Sequence, residues 1–247
     1  MKPRKLMYLT HRWLGAIIAL QLLAWSVGGF VFSILDINDV RGTSDARAQT
    51  HEPLTPQSMA SLPESLSAML VDPSQPRVAS LTLIDRGLGA HWEARDAGGV
   101  LVYRMLPDGT PAGQITQSQA EQIALHDFLP ESSVARSQLI VEDPPMEYRG
   151  GMLPAYRVEL DHPKHPHIYI SATNGQIIAR RNDQWRVFDF FWMLHTMDYS
   201  GRDDFNHPLL TIASVLAILT ALAGLSLWIW RFIPRKKRSR HTSEATP

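Results

Sequence analysis

The sequence predicts an α+β protein in which two transmembrane helices flank a central domain of two helix-plus-antiparallel-sheet repeats. Three observations predict it. Uncharged apolar runs lie near both ends of the 247-residue chain, LGAIIALQLLAWSVGGFVFSIL at 14–35 and TIASVLAILTALAGLSLWIW within 208–232. Each provides the roughly 20 apolar residues that a helix needs to cross a bilayer. Basic residues gather outside these runs, and short alternating segments recur between them.

The 24 basic and 24 acidic residues balance only in total. Lys2, Arg4, Lys5 and Arg12 precede Leu14 with no acid among them. Arg231, Arg235, Lys236, Lys237, Arg238 and Arg240 follow Trp230, with Glu244 as the one acid. Removing these ten basic residues and one acid leaves 14 basic and 23 acidic residues between the ends. The positive-inside rule then places both termini in the cytoplasm and the middle outside, which for a bacterial inner membrane is the periplasm. An acidic middle argues against nucleic acid as a partner. The chain has no cysteine, which excludes disulfides, a thiol nucleophile, a Cys-ligated iron–sulfur cluster and covalent haem at C-x-x-C-H. Any haem would be held non-covalently, mainly by His or Met.

In chain order, 1–13 reads as a cytoplasmic basic tail and 14–35 as the first span. A cleaved signal peptide has an apolar region of about 7–15 residues; this run is longer and ends in ILDIND, so it reads as an uncleaved anchor. Gln21 is its one strongly polar side chain, and Gly15–Ala19 and Ala24–Gly28 are small pairs that allow close helix contact,. Residues 36–53 read as a linker. A first repeat (54–114) opens with LTPQSMASL and a second (115–184) with ITQSQAEQI, with Thr55 and Thr116 as N-caps,. Strands are predicted at 78–85, 90–95 and 100–106, then at 133–141, 155–160, 167–171 and 176–180. Asp108–Gly109 and Asn174–Gly175 are turn dipeptides, the second a hairpin signal between HIYIS and QIIAR,. Residues 185–207 form an apolar juxtamembrane helix and a loop, with Phe188, Phe191, Trp192 and His195 on one helical face,. Pro208 suits the first turn of the second span, 208–232, in which Ala213, Ala217 and Ala221 make a stripe for the first helix or for another copy. A basic tail, 233–247, follows.

HRWLG before the first span, AYRVEL and HIYISATNGQIIAR, FFWMLHTMD and FNHPLL before the last span together resemble the PepSY-associated transmembrane family. The first repeat carries little of this resemblance. Membership implies the architecture above. It also implies non-covalent haem b and periplasmic electron transfer or ferric-siderophore reduction in iron uptake, with a siderophore, a homodimer or a membrane redox partner as associates besides the lipid bilayer. Larger members have four or more spans, and this chain has two. Soluble PepSY domains are associated with protease propeptides and inhibition, so the alternative is a non-enzymatic, membrane-anchored module that binds a periplasmic protein.

His195 on its apolar helix reads either as an axial haem ligand with Phe191 and Trp192 as the haem wall, or as a packed histidine bonded to a backbone carbonyl. His207 reads as a second ligand or as an interface residue before Pro208. His11 is a ligand only by the resemblance. About 33 Å of helix separates it from the outer end of its span, so it cannot share a haem with His195 in one subunit. Otherwise it is an interfacial residue beside Arg12 and Trp13. His162, His165 and His167 in HPKHPH offer metal-ligand spacing, weighed against a solvated hairpin loop. Glu142–Asp143 and Asp203–Asp204 read as solvated charge runs. G-x-S-x-G, H-E-x-x-H and phosphate-loop motifs are absent, as are flavin and nicotinamide motifs,.

Overall fold

A computed structural model describes residues 3–48, 63–72, 74 and 76–232. Thr55 and the helix expected at LTPQSMASL lie outside them, as does the basic tail from 233. The elements in order are α1 (Pro3–Ile34), α2 (Ile37–Val40), α3 (Glu64–Val71), β1 (Ser80–Ile84), β2 (His91–Arg95), β3 (Leu101–Met105), α4 (Gln117–Asp127), β4 (Ser133–Ile140), a 3-10 turn (Met146–Tyr148), β5 (Ala155–Asp161), β6 (His167–Ser171), β7 (Ile177–Arg181), α5 (Asp183–Thr196) and α6 (Pro208–Phe232). Helices and sheets thus combine in one α+β chain with an apolar helix at either end, as expected. The chain divides into two compact units, one of residues 33–190 and one of 1–32 with 191–247.

In the first unit both sheets are antiparallel meanders, β1-β2-β3 and β4-β5-β6-β7. Helix α4 begins as predicted at Thr116, whose hydroxyl accepts from the Gln119 amide while the Gln119 side chain returns a bond to the Thr116 amide. This reciprocal capping box satisfies two groups that a helix start leaves open. Ala120, Ile123, Ala124 and Asp127 are its buried positions, the spacing of one helical face. That face covers Val158, Leu160, Ile168 and Ile170 of the four-stranded sheet. Each large aliphatic side chain buried here contributes about 1.5–3 kcal/mol. The sheet's other face buries Ile140, Tyr148, Ala155, Tyr169 and Ala179, with the Tyr148 and Tyr169 rings stacked at 4.4 Å.

The Asn174–Gly175 turn joins β6 to β7 as expected. Gly175 has φ +72°, and a Cβ there would stand 2.8 Å from Ile123 Cδ1. Both left-handed backbone and space require glycine. The three-stranded sheet is amphipathic in another way. Strand β2, HWEAR, turns Trp92 to a core with Leu66 and Met105, and it buries His91 and Glu93 on the opposite side.

Residues 36–48, expected to be a linker, are built into the domain. Asp36 caps α2, and the Arg47 and Leu129 amides donate to Asp127 O and Asp45 O. Asn182 Nδ2 donates to Asp39 O at 2.7 Å. Polar composition signalled a linker; in the fold those polar groups are hydrogen-bond partners. The short helix α3 was not predicted, and α5 starts at Asp183, two residues before the 185 expected.

In the second unit α1 and α6 are long and apolar enough to cross a membrane. Only 11% and 6% of their most apolar stretches are buried within the protein. The inward positions of α1, His11, Leu14, Ile18, Gln21, Trp25, Gly28 and Phe32, recur every three or four residues, the seam of antiparallel helix packing. Gly15 approaches Thr220 of α6, and Gly28 approaches Phe191 of α5, each at 3.8 Å from the position of a Cβ. Ala213 is buried, Ala217 is half-buried and Ala221 is exposed. The alanine stripe is therefore only partly a seam within this chain.

Candidate functional site

Helix α5 ends at Thr196, and the last carbonyls of a helix have no partner within it. Three successive ones are each met by a side chain. Gln21 Nε2 donates to Leu194 O at 3.0 Å, Trp25 Nε1 to His195 O at 2.9 Å and His207 Nε2 to Thr196 O at 2.8 Å. A side-chain hydrogen bond between apolar helices contributes about 0.6–2 kcal/mol, which gives the glutamine inside an apolar helix a role. Because a carbonyl only accepts, the last bond puts the His207 proton on Nε2 and leaves Nδ1 toward the Leu210 amide at 3.5 Å,. His207 thus closes one helix and opens the next.

His195 is exposed, with Phe32, Trp25 and Trp192 rings at 6.0, 6.1 and 6.5 Å from its own. Among the described residues its imidazole makes no hydrogen bond, so the backbone-bonded reading does not apply. Phe191 is turned to Gly28, and Trp192 Nε1 donates to Arg202 O at 3.0 Å. His11 lies fourteen residues before Trp25, about 21 Å along the helix. A bis-histidine haem needs two imidazoles facing each other across the iron. With His207 committed to two backbone groups and His11 distant, the three predicted histidines do not assemble such a site within one chain.

A second constellation, which motif reading missed, covers the polar half of the four-stranded sheet. Glu147 accepts from His167, from Tyr169 at 2.6 Å and from Arg186 at 3.2 Å. Arg181 Nε donates to the Glu147 carbonyl, and its guanidinium lies 4.3 Å from the Trp185 ring centre. Arg149 pairs with Asp189 at 2.8 Å, Arg186 also with Asp183, and Arg157 with Glu159. Four guanidiniums thus face four carboxylates. Burial pushes the Glu147 carboxyl up, but the bonds from His167 and Tyr169 and the charges of His167 and Arg186 prevail and hold it at about 2. Burial, then Glu147, pushes the Tyr169 phenol far above its ordinary value.

The HPKHPH imidazoles face different neighbours. His162 lies edge-on to Phe128 at 5.1 Å, His165 pairs with Asp183, and His167 joins the Glu147 cluster. No cluster of His, Cys, Asp or Glu suited to a metal exists among the described residues. The loop is the β5–β6 hairpin with His165 exposed, as expected, and with His167 tied into the sheet. Its role was hidden because Glu147 and Asp183 are close to it only in space.

The three-stranded sheet holds a third polar group. Glu93, 3% exposed, accepts from Arg86 at 2.6 Å and from Arg95 at 2.9 Å, with His91 Nε2 at 3.3 Å. Burial raises the Glu93 carboxyl, and the bonds from His91 and Arg86 outweigh it, holding the group at about 2.

Residues 114–181 match the PepSY family, described as the peptidase propeptide and YPEB domain. The match begins just before α4 and ends with β7, so it covers that helix and the four-stranded sheet. No curated protein and no solved structure matches the chain.

Proposed function

We propose that this protein is a membrane-anchored PepSY binding module. Its two apolar helices cross a bilayer, both basic ends are cytoplasmic, and residues 33–190 lie outside, in the periplasm of a bacterium with two membranes. The domain binds a protein partner there. The observation that carries this reading is strand β4. It is an outer strand of the PepSY sheet, hydrogen-bonded only to β5 in that sheet, and most of its eight residues are exposed. Such an edge accepts an added strand through main-chain bonds, with side-chain alternation giving selectivity. The charge segregation supports the orientation.

A second reading is favoured by one observation, the exposed and unbonded imidazole of His195 among three aromatic rings. It makes the protein a haem-binding electron-transfer component or ferric-siderophore reductase, with His195 and a residue of a second chain as ligands. Bound haem would supply the one-electron chemistry; the chain would supply one imidazole and an aromatic wall.

Absorption spectra of the purified protein, oxidised and dithionite-reduced, from cells fed a haem precursor, separate the two. A folded, haem-free protein supports the binding module. Stoichiometric haem with sharp reduced bands that His195→Ala abolishes overturns it in favour of the redox reading.

A further inference from the structure

A cavity of about 140 Å³ lies between β3, the Pro111–Gln114 segment and the start of α4. Its polar lining is His91, Arg104, Gln114 and Gln119, and it contains no carboxylate. Arg104 donates from Nη1 to the Gly113 carbonyl at 2.9 Å, while its Nε is buried without a partner among the described residues. Arg86 Nε, in the connection from β1 to β2, is likewise buried without a partner among the described residues. A buried donor left unmet costs about 1–3 kcal/mol, more when it belongs to a charged group.

The charges do not balance either. Arg86, Arg95 and Arg104 stand around Glu93 alone. Asp85, Asp96 and Asp108, the nearest acids along the chain, each spend an oxygen on turn groups: the amides of Gly87 and Gly89, those of Gly98 and Val100, and the amide and hydroxyl of Thr110. Burial works against the charged form of Arg104; Glu93 supports that form and Arg86 opposes it, with a net lowering of its pKa. Planar guanidinium matches carboxylate by paired bonds.

We propose that this cavity binds a carboxylate, with Arg104 as its counter-ion and Gln114 and Gln119 as neutral donors. The carboxylate belongs either to an acidic side chain of a peptide or to a free small acid. The site straddles the start of the PepSY match, which includes Gln114 and Gln119 but not His91 or Arg104, and it stands independently of the binding edge and of haem.

Calorimetric titration of the full chain in an uncharged detergent tests it, with acetyl-Ala-Glu-Ala-amide, succinate and acetyl-Ala-Gln-Ala-amide as probes. One of the two carboxylate probes binds saturably at one site and the glutamine peptide does not. The tighter of the two identifies the source. Arg104→Gln weakens that binding at least tenfold. Gln119→Glu keeps the reciprocal cap, since Glu serves as well as Gln at that position, but brings a negative charge to the cavity, and it weakens binding about tenfold in a protein that folds normally. Absence of saturable binding by both carboxylates, equal binding of the glutamine peptide, or unchanged affinity in both variants would overturn the proposal.

Discussion

The two sheets of the central domain bury the same kind of charge on different terms. Around Glu147, four arginines meet four acids. Around Glu93, three arginines meet one. A buried ionic group is therefore not by itself a sign of function: among the described residues, buried guanidinium Nε donors stand without partners in both clusters, on Arg157 as on Arg86 and Arg104, and what separates the two is the balance of charge. The balanced cluster joins the stretch that matches PepSY to the start of α5, through Asp183, Arg186 and Asp189, and the unbalanced one lies in a stretch before that match.

Glu93→Gln should have the largest effect, because it leaves three guanidiniums with no carboxylate. Breaking one side of a buried ion pair costs about 3–5 kcal/mol, visible in denaturant titration of the detergent-solubilised protein. Glu147→Gln should cost less, about 2–3 kcal/mol, since Arg186 keeps Asp183 and Arg181 keeps its stack on Trp185. Equal losses would mean that charge balance does not distinguish the sheets.

Acid acts on the two carboxyls alike. Both carboxyls are lowered in the folded state from 4.5 to about 2. Each therefore contributes stability that is complete above about pH 5 and is lost as pH falls through about 2, on the order of 3 kcal/mol apiece. Stability measured from pH 6 down to pH 2 should fall in the wild type, and less steeply in Glu147→Gln.

Smaller effects test the local rules. Thr116→Ala removes one half of the α4 cap and should cost about 1 kcal/mol. Gln21→Leu leaves the Leu194 carbonyl unmet at the end of α5. It should cost about 0.6–1 kcal/mol, read as a lower thermal midpoint in the same detergent, and a neutral result would mean that water reaches that helix end.

Much of this was legible in advance. All seven strands stand within three residues of the alternating segments, because period-two burial leaves a direct imprint on sequence. The Thr116 cap, the Asn174–Gly175 hairpin and the helix start at Pro208 follow local rules that involve only a few residues. What pattern reading missed is tertiary. The polar stretch 36–48 looks like linker until Asp39 and Asp45 meet Asn182 and Lys164. Gln21 looks like a flaw in a span until the end of α5 reaches it. His207 resembles a ligand candidate in sequence, yet its two nitrogens serve the ends of two helices. Arg86, Arg95, Arg104 and Glu93 carry no motif at all, and only the pairing of β1, β2 and β3 brings them together.

The proposed topology, a binding domain held outside the membrane by two spans, puts residue 132 and residue 243 on opposite sides of the bilayer. The absence of cysteine makes it directly testable, because every introduced thiol is the only one. Single variants Ser132→Cys and Ser243→Cys, treated in intact spheroplasts with a membrane-impermeant maleimide, should separate cleanly. Residue 132 should be labelled without permeabilisation and residue 243 only after it. Labelling of 243 in intact spheroplasts, or protection of 132, would contradict the topology.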